Sequence, residues 1–108
     1  MSLEKLINIP KELNSNPNVS VYNLVKEYYF DDFSEFLVYD YLIKNHSIHN
    51  NWLLFCEDKR VEEGWTIEKN FFFYNVYYLN NRNNKLYFKR FTNKDKAFSY
   101  YIYNEIVS

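Results

Sequence analysis

A single glycine, Gly64, and a single cysteine, Cys56, stand in a chain of 108 residues. Loops that cradle phosphate need several glycines so that backbone amides can approach the anion, so the known nucleotide-binding loop motifs are excluded. One thiol cannot form an internal disulfide, which is typical of a reducing compartment. Metal-ligating side chains are also too few and too scattered for a zinc site. We therefore expect neither a metal site nor a cofactor.

Long apolar runs are missing as well. The chain starts with the charged stretch 1–5, and the longest nearly apolar stretch, 36–43, is interrupted by Asp40. A signal peptide or a membrane-spanning helix needs a longer uninterrupted apolar segment. The sequence therefore predicts neither, no membrane partner is expected, and cytoplasmic location is the expectation.

Apolar and aromatic side chains, in contrast, are abundant. The chain is 47% hydrophobic and 22% aromatic, with 12 Tyr and 10 Phe, which is too much apolar surface for a disordered chain. A chain of this length can bury one core, so residues 1–108 are predicted to form a single domain. Pro10 and the polar run 14–18 interrupt any early helix, so 1–18 is predicted to be a loosely structured lead-in.

Helical spacing predicts two helices after this lead-in. Ser20 is the expected N-cap of the first, and Asp32 is the expected N-cap of the second. In the second helix the residues predicted to share a face are Phe33, Phe36, Leu37, Tyr41 and Lys44. Alternation then predicts a short, largely buried strand over 52–56 that includes Cys56, followed by a polar turn over 58–64. Residues 65–69 are either a further short strand or an irregular approach to Phe71.

The clearest pattern is a β-hairpin over 71–91. Apolar alternation over 71–78 is followed by an asparagine-built turn at 80–84 and a return strand at 85–91. Thr92 is the expected N-cap of a last helix that ends near Ile106. The predicted fold class is α+β, with two N-terminal helices, an antiparallel sheet of three to four strands and a C-terminal helix packed on the sheet.

Candidate catalytic groups lack a motif. We interpret His46 and His49 as exposed loop residues, and Cys56 as a small buried hydrophobe. Adjacent acids near the ends of predicted elements are typical of caps and solvated turns rather than of an acid and base couple: Asp31/Asp32 and Glu62/Glu63. We therefore predict that the protein is not an enzyme, although a metal-independent nuclease built from His, Lys and Tyr would leave no motif.

Opposite charges accumulate in the two halves of the chain, with a net charge of −5 over 1–58 and +4 over 59–108. The acidic half contains a stretch of acids interleaved with tyrosine, which would attract a cationic protein partner. An ordinary solvated helix face is the alternative. The predicted partner-binding residues are Glu27, Asp31, Asp32, Glu35, Tyr39 and Asp40.

The basic half supplies the alternative surface, a nucleic-acid-binding hairpin over 82–96. Basic groups beside an aromatic ring can hold a nucleic-acid backbone and stack a base, and alternation predicts that Lys85, Tyr87 and Lys89 share one strand face. The hydrated face of an edge strand explains the same residues, so nucleic acid is the less favoured partner. The residues of this alternative are Arg82, Lys85, Tyr87, Lys89 and Arg90.

Residues 52–106 resemble small immunity proteins of bacterial polymorphic and contact-dependent toxin systems. The resemblance lies in Trp65, in the strand sequence over 75–79, and in Phe91 followed by Ala97 and Phe98, with Tyr100 and Tyr101, at the opening of the last helix. It implies a cytoplasmic, non-catalytic protein that binds one cognate toxin domain, often a nuclease, and blocks it. A phage or plasmid inhibitor of a host protein would share these features, and oligomeric state and strand order stay open.

Overall fold

The computed structural model describes residues 2–58 and 63–107. In this part of the chain five helices precede a sheet of three strands, and a sixth helix follows it: α1 (Ser2–Ile7), α2 (Ile9–Ser15), α3 (Val21–Tyr28), α4 (Glu35–Lys44), α5 (Ile48–Asp58), β1 (Gly64–Lys69), β2 (Tyr74–Leu79), β3 (Lys85–Phe91) and α6 (Lys94–Val107). The strands are antiparallel in the order β1-β2-β3, and α6 packs on them. The α+β class is thus confirmed, whereas the prediction of two helices before the sheet is wrong.

Asparagine builds the turn between β2 and β3, as predicted. The side-chain oxygen of Asn80 accepts hydrogen bonds from the backbone N–H groups of Arg82 and Asn84, at 3.0 and 2.9 Å. Asn83 adopts a φ of 63°, in the left-handed region that asparagine tolerates better than most residues. The predicted turn over 58–64 lies largely outside the described residues, as does Glu62 of the second predicted acid pair.

The core between α6 and the sheet consists of aromatic and branched side chains. Trp65 and Val76 on the sheet pack with Phe98 and Tyr101 on α6, and the small side chain of Ala97 lies fully buried among them. The start of α6 differs from the prediction by one residue. Asn93, not Thr92, accepts a hydrogen bond from the backbone N–H of Lys96, at 3.0 Å.

Residues 2–15 form two short helices rather than the predicted loose lead-in. Pro10 lies in the first turn of α2, where a helix loses no hydrogen bond to proline. Leu6, Ile7 and Ile9 are completely buried. The indole N–H of Trp52 donates to the carbonyl oxygen of Ile7 at 2.8 Å and joins this segment to the core.

The predicted strand over 52–56 is instead part of helix α5. Trp52 is fully buried while Leu54, which alternation would place on the same face, is 58% exposed. A short apolar run cannot be assigned to strand or helix by alternation alone. Here the run continues the helix that begins at Ile48. The sulfur of Cys56 lies 3.5 Å from the backbone nitrogen of Ile67 and covers the outer edge of β1.

Helices α3 and α4 have serine N-caps. Ser20 accepts from the backbone N–H of Asn23, as predicted, but the cap of α4 is Ser34 rather than Asp32. Val38 and Leu42 form the buried face of α4, which packs against α6. Phe36, predicted to share a face with Phe33 and Tyr41, instead points outward, whereas Phe33 is buried.

No helix within 2–58 or 63–107 combines the length and the apolar content that crossing a bilayer requires.

Candidate functional site

The outer face of α4 presents apolar side chains to solvent in a row. Phe36, Tyr39 and Ile43 have the i, i+3, i+7 spacing of one helical stripe; Phe36 is 70% exposed, Ile43 is exposed and Tyr39 is half-buried. Glu35 and Asp40 flank this stripe. We call the five residues Glu35, Phe36, Tyr39, Asp40 and Ile43 the α4 outer face.

An acidic turn leads into this helix. The backbone N–H of Phe33 donates to the carbonyl oxygen of Phe30 at 3.1 Å, which closes a tight turn around Asp31 and Asp32. The Phe33 ring is buried and stacks on Tyr103 of α6, with ring centroids 5.5 Å apart. Because this anchor points inward, both carboxylates are held at the surface beside the start of α4.

The six predicted partner-binding residues are therefore distributed over one helix, the turn before it and the end of α3. Glu35 and Tyr39 lie on the α4 outer face with Asp40, whose carboxylate pairs with Lys44 at 3.1 Å. Glu27 is exposed in the last turn of α3. Phe36 and Ile43 were not among the predicted residues, although their helical spacing from Tyr39 was a signal for a shared face.

A shallow groove of about 360 Å³ runs beside the α4 outer face. Helix α4, the end of β3 and the first turns of α6 form its walls, with the lining residues Glu35, Phe36, Tyr39, Phe91, Lys96 and Ser99. Burial raises the pKa of the neighbouring Tyr100, and the negative charge of Glu35 raises it further. The groove thus adds an apolar wall and one cation to an otherwise acidic surface.

The alternative basic surface is divided by a β-bulge in β3. Val76 pairs with Lys89 and Tyr78 with Leu86, so β3 contains one residue more than β2 between these pairs. Tyr87 lies at this position with a φ of 56°, and its ring stacks on Trp65 at 6.1 Å. The extra residue reverses which side chains face α6.

The prediction that Lys85, Tyr87 and Lys89 share one strand face is therefore wrong. The Lys85 ammonium lies 4.8 Å from the ring centre of Tyr77, on the face turned away from α6, whereas Lys89 lies 4.8 Å from Tyr100 of α6. The Arg90 guanidinium lies 4.1 Å from the ring centre of Phe73. Arg82 is exposed in the turn. Lys89 thus lies on the α6 side of β3, whereas Lys85 and Arg90 lie on the opposite side, where Tyr77 stacks on Phe88 between them.

His49 is buried, contrary to the prediction of an exposed loop residue. It lies in the first turn of α5, where Nδ1 is 2.9 Å from the carbonyl oxygen of His46 and Nε2 is 2.7 Å from an Asp95 carboxylate oxygen. Both ring nitrogens are thus engaged by the protein, and the pair joins α5 to the start of α6. His46 is exposed, as predicted.

A second, polar groove of about 710 Å³ lies where α1 and α2 approach α4, with lining residues that include Glu4, Lys5, Asn8, Lys11, Glu12 and Tyr41. Glu12 is engaged there, because both its carboxylate oxygens accept from the Tyr28 hydroxyl, at 2.8 and 3.0 Å. That bond raises the pKa of Tyr28. These contacts fasten the first helices to α3.

The described residues contain no group of three or more His, Cys, Asp or Glu side chains placed to hold a metal ion. Comparison with protein-family models, with curated proteins and with solved structures found no match for this chain.

Proposed function

We propose that this protein is a non-catalytic immunity protein that binds a cognate bacterial toxin domain of the nuclease type through the α4 outer face. The observation that carries the proposal is the exposed stripe of Phe36, Tyr39 and Ile43 bordered by carboxylates. Protein interfaces commonly combine an apolar, aromatic centre with a charged rim. The α4 outer face has this composition.

The charge of the surface favours a cationic partner. Asp31, Asp32 and Glu35 are exposed around the start of α4, where Lys44 pairs with Asp40 and Lys96 lines the adjacent groove. A nuclease must attract a polyanion, so its substrate channel is cationic, and an acidic surface that covers this channel would both find and block it. Electrostatic attraction of this kind mainly accelerates association.

The rigidity of the surface is a further argument. The inner residues Val38 and Leu42 are fully buried, Ser34 caps the helix and Phe33 anchors the acidic turn. A surface that is ordered before binding loses little conformational entropy when the partner arrives. The α4 outer face is thus suited to a tight and narrow specificity.

The sequence resemblance of 52–106 to immunity proteins supports the same class of partner. The nucleic-acid alternative has less support, because the bulge distributes its cations over two faces of β3. A phage or plasmid inhibitor would use the same acidic surface against a host protein. The identity of the bound partner separates these two hypotheses.

The proposal is tested by co-expressing the chain with the toxin domain encoded beside its gene and following bacterial growth. Phe36→Asp should abolish protection by placing a charge in the centre of the interface. Tyr22→Asp is the matched control, because Tyr22 is 72% exposed on α3 and Phe36 is 70% exposed. Equal protection by both variants, with unchanged thermal unfolding, would show that the α4 outer face is not part of the interface.

A further inference from the structure

A second exposed apolar surface lies at the tip of the hairpin between β1 and β2. Phe71 is 92% exposed and Phe72 is 82% exposed. The rings pack on each other, with centroids 5.6 Å apart. This tip is separate in the chain from the α4 outer face and does not enter the proposed function.

The backbone of the tip is held in place by hydrogen bonds. The backbone N–H of Asn70 donates to the carbonyl oxygen of Phe73 at 2.8 Å, and its side-chain oxygen accepts from the backbone N–H of Phe71 at 2.7 Å. Two large apolar side chains are therefore exposed on a hydrogen-bonded loop. The sheet that carries this loop does not cover them.

Cations lie at the end of the sheet that carries the tip. Lys69 precedes the tip and lies beside Phe71, and the pairing of Lys69 with Tyr74 and of Tyr74 with Phe91 places the end of β3 at the same end of the sheet. The exposed side chain of Lys94 follows there at the start of α6.

Each acid of this region has a partner within the protein. Glu68, exposed on the face of the sheet turned away from α6, accepts from the Tyr77 hydroxyl, and Asp95 is bonded to His49. Lys69, Arg90 and Lys94 outnumber these two carboxylates, so this end of the sheet carries a positive charge, which is opposite to that of the acidic turn before α4.

Although the sequence predicts no membrane partner, we propose that this end of the protein binds an anionic phospholipid surface, with Phe71 and Phe72 inserted at the level of the headgroups and with Lys69 and Lys94 beside the phosphates. Aromatic side chains enter the membrane interface readily, and each nearby cation adds attraction to anionic lipid.

Single-stranded nucleic acid fits the tip less well. Base stacking needs ring faces that are open beside a cationic groove. Here the two exposed rings pack on each other, and the Arg90 guanidinium is placed over the third ring, that of Phe73. The arrangement favours insertion over stacking.

The test is flotation of the full chain with vesicles of phosphatidylcholine alone and of phosphatidylcholine with phosphatidylserine. The chain should float with the anionic vesicles only. A double variant, Phe71→Asn with Phe72→Asn, should reduce the apparent affinity by about tenfold or more, and Lys69→Glu by a smaller factor. Tyr22→Asn and Lys26→Glu, on exposed positions of α3, are the matched controls and should float like the wild type.

Thermal unfolding should be unchanged in the double variant, because both rings are outside the core. The proposal is overturned if the chain does not float with anionic vesicles, or if the double variant floats as well as the controls do. It is also overturned if the wild-type chain does not bind vesicles but binds a single-stranded oligonucleotide or an apolar protein pocket, and the double variant loses that binding.

Discussion

The α4 outer face and the β1–β2 hairpin tip both expose large apolar side chains, but their surroundings have opposite charge. Carboxylates border Phe36 on α4, whereas Lys69 lies beside Phe71 at the hairpin tip. The acids around the start of α4 and Lys69 beside the tip thus give two similar apolar surfaces opposite charges. Exposed apolar area alone does not define a partner, because the charge around it selects among partners.

The two sides of α4 provide the largest expected contrast. Leu42→Ala should lower the free energy of unfolding by about 2–5 kcal/mol, because it leaves a cavity in the core. Phe36→Ala should change it by less than about 1 kcal/mol, since the ring is mostly in water. Urea unfolding measures both. A large loss of stability for Phe36→Ala would mean that this face serves the fold rather than a partner.

The pair of buried His49 and half-buried Asp95 joins α5 to the start of α6, at the end of the sheet that carries the hairpin tip. His49→Ala should lower the free energy of unfolding by about 1–3 kcal/mol, since it leaves the Asp95 carboxylate without this partner. His46→Ala is the control, because only its backbone carbonyl takes part. Denaturant unfolding that is alike in both variants would contradict a role for the pair.

The acidic turn should control how fast the partner binds. Reversing Asp31 and Asp32 to lysine should slow association by about tenfold at low salt, with a smaller effect at high salt, while leaving the fold intact. Glu57→Lys with Asp58→Lys, an equally exposed acid pair at the end of α5, is the control. Stopped-flow association with the purified toxin domain measures the rates. Equal slowing by both pairs would indicate net charge rather than a local surface.

The smallest expected effect concerns the groove beside α4. Burial and the charge of Glu35 raise the pKa of Tyr100, so Glu35→Gln should move this pKa downward while the contribution of burial remains. A Tyr whose pKa is raised on folding contributes stability below the ordinary tyrosine pKa and loses it as the pH rises further, so the variant should lose slightly less stability at alkaline pH. NMR titration of the tyrosine ring carbons measures the pKa. Asp40→Asn should leave it unchanged.

Much of the second half of the fold could be predicted from the sequence, because its signals are local. Alternation over β2 and β3, the asparagines at 80–84 and the helical spacing after Asn93 each indicate one structure. The bulge at Tyr87 could not be predicted, since no glycine marks it. Its cost in backbone strain is offset by stacking on Trp65, which is a tertiary contact.

The first half of the fold was harder to predict from the sequence, because its structure depends on contacts with residues that are distant in the chain. The apolar run over 52–56 fits both a strand and a helix by its pattern. It forms part of α5, in which Trp52 contacts Ile7 and Cys56 contacts Ile67. Pro10 suggested a break, yet it lies in the first turn of a helix. For the candidate site, the run of acids was visible in the sequence, but Phe36 was assigned to one face with Phe33 and Tyr41, whereas Val38 and Leu42 form the buried face of α4.

The most direct test of the α4 outer face as the partner-binding surface is site-specific photo-crosslinking in bacterial cells that co-express the chain with the toxin domain. A photoreactive phenylalanine analogue would be placed at Phe36, with Tyr22 as the matched exposed position. The account predicts that one cationic toxin domain is crosslinked from position 36 and not from position 22. The same protein crosslinked from both positions, or from position 22 alone, would contradict it.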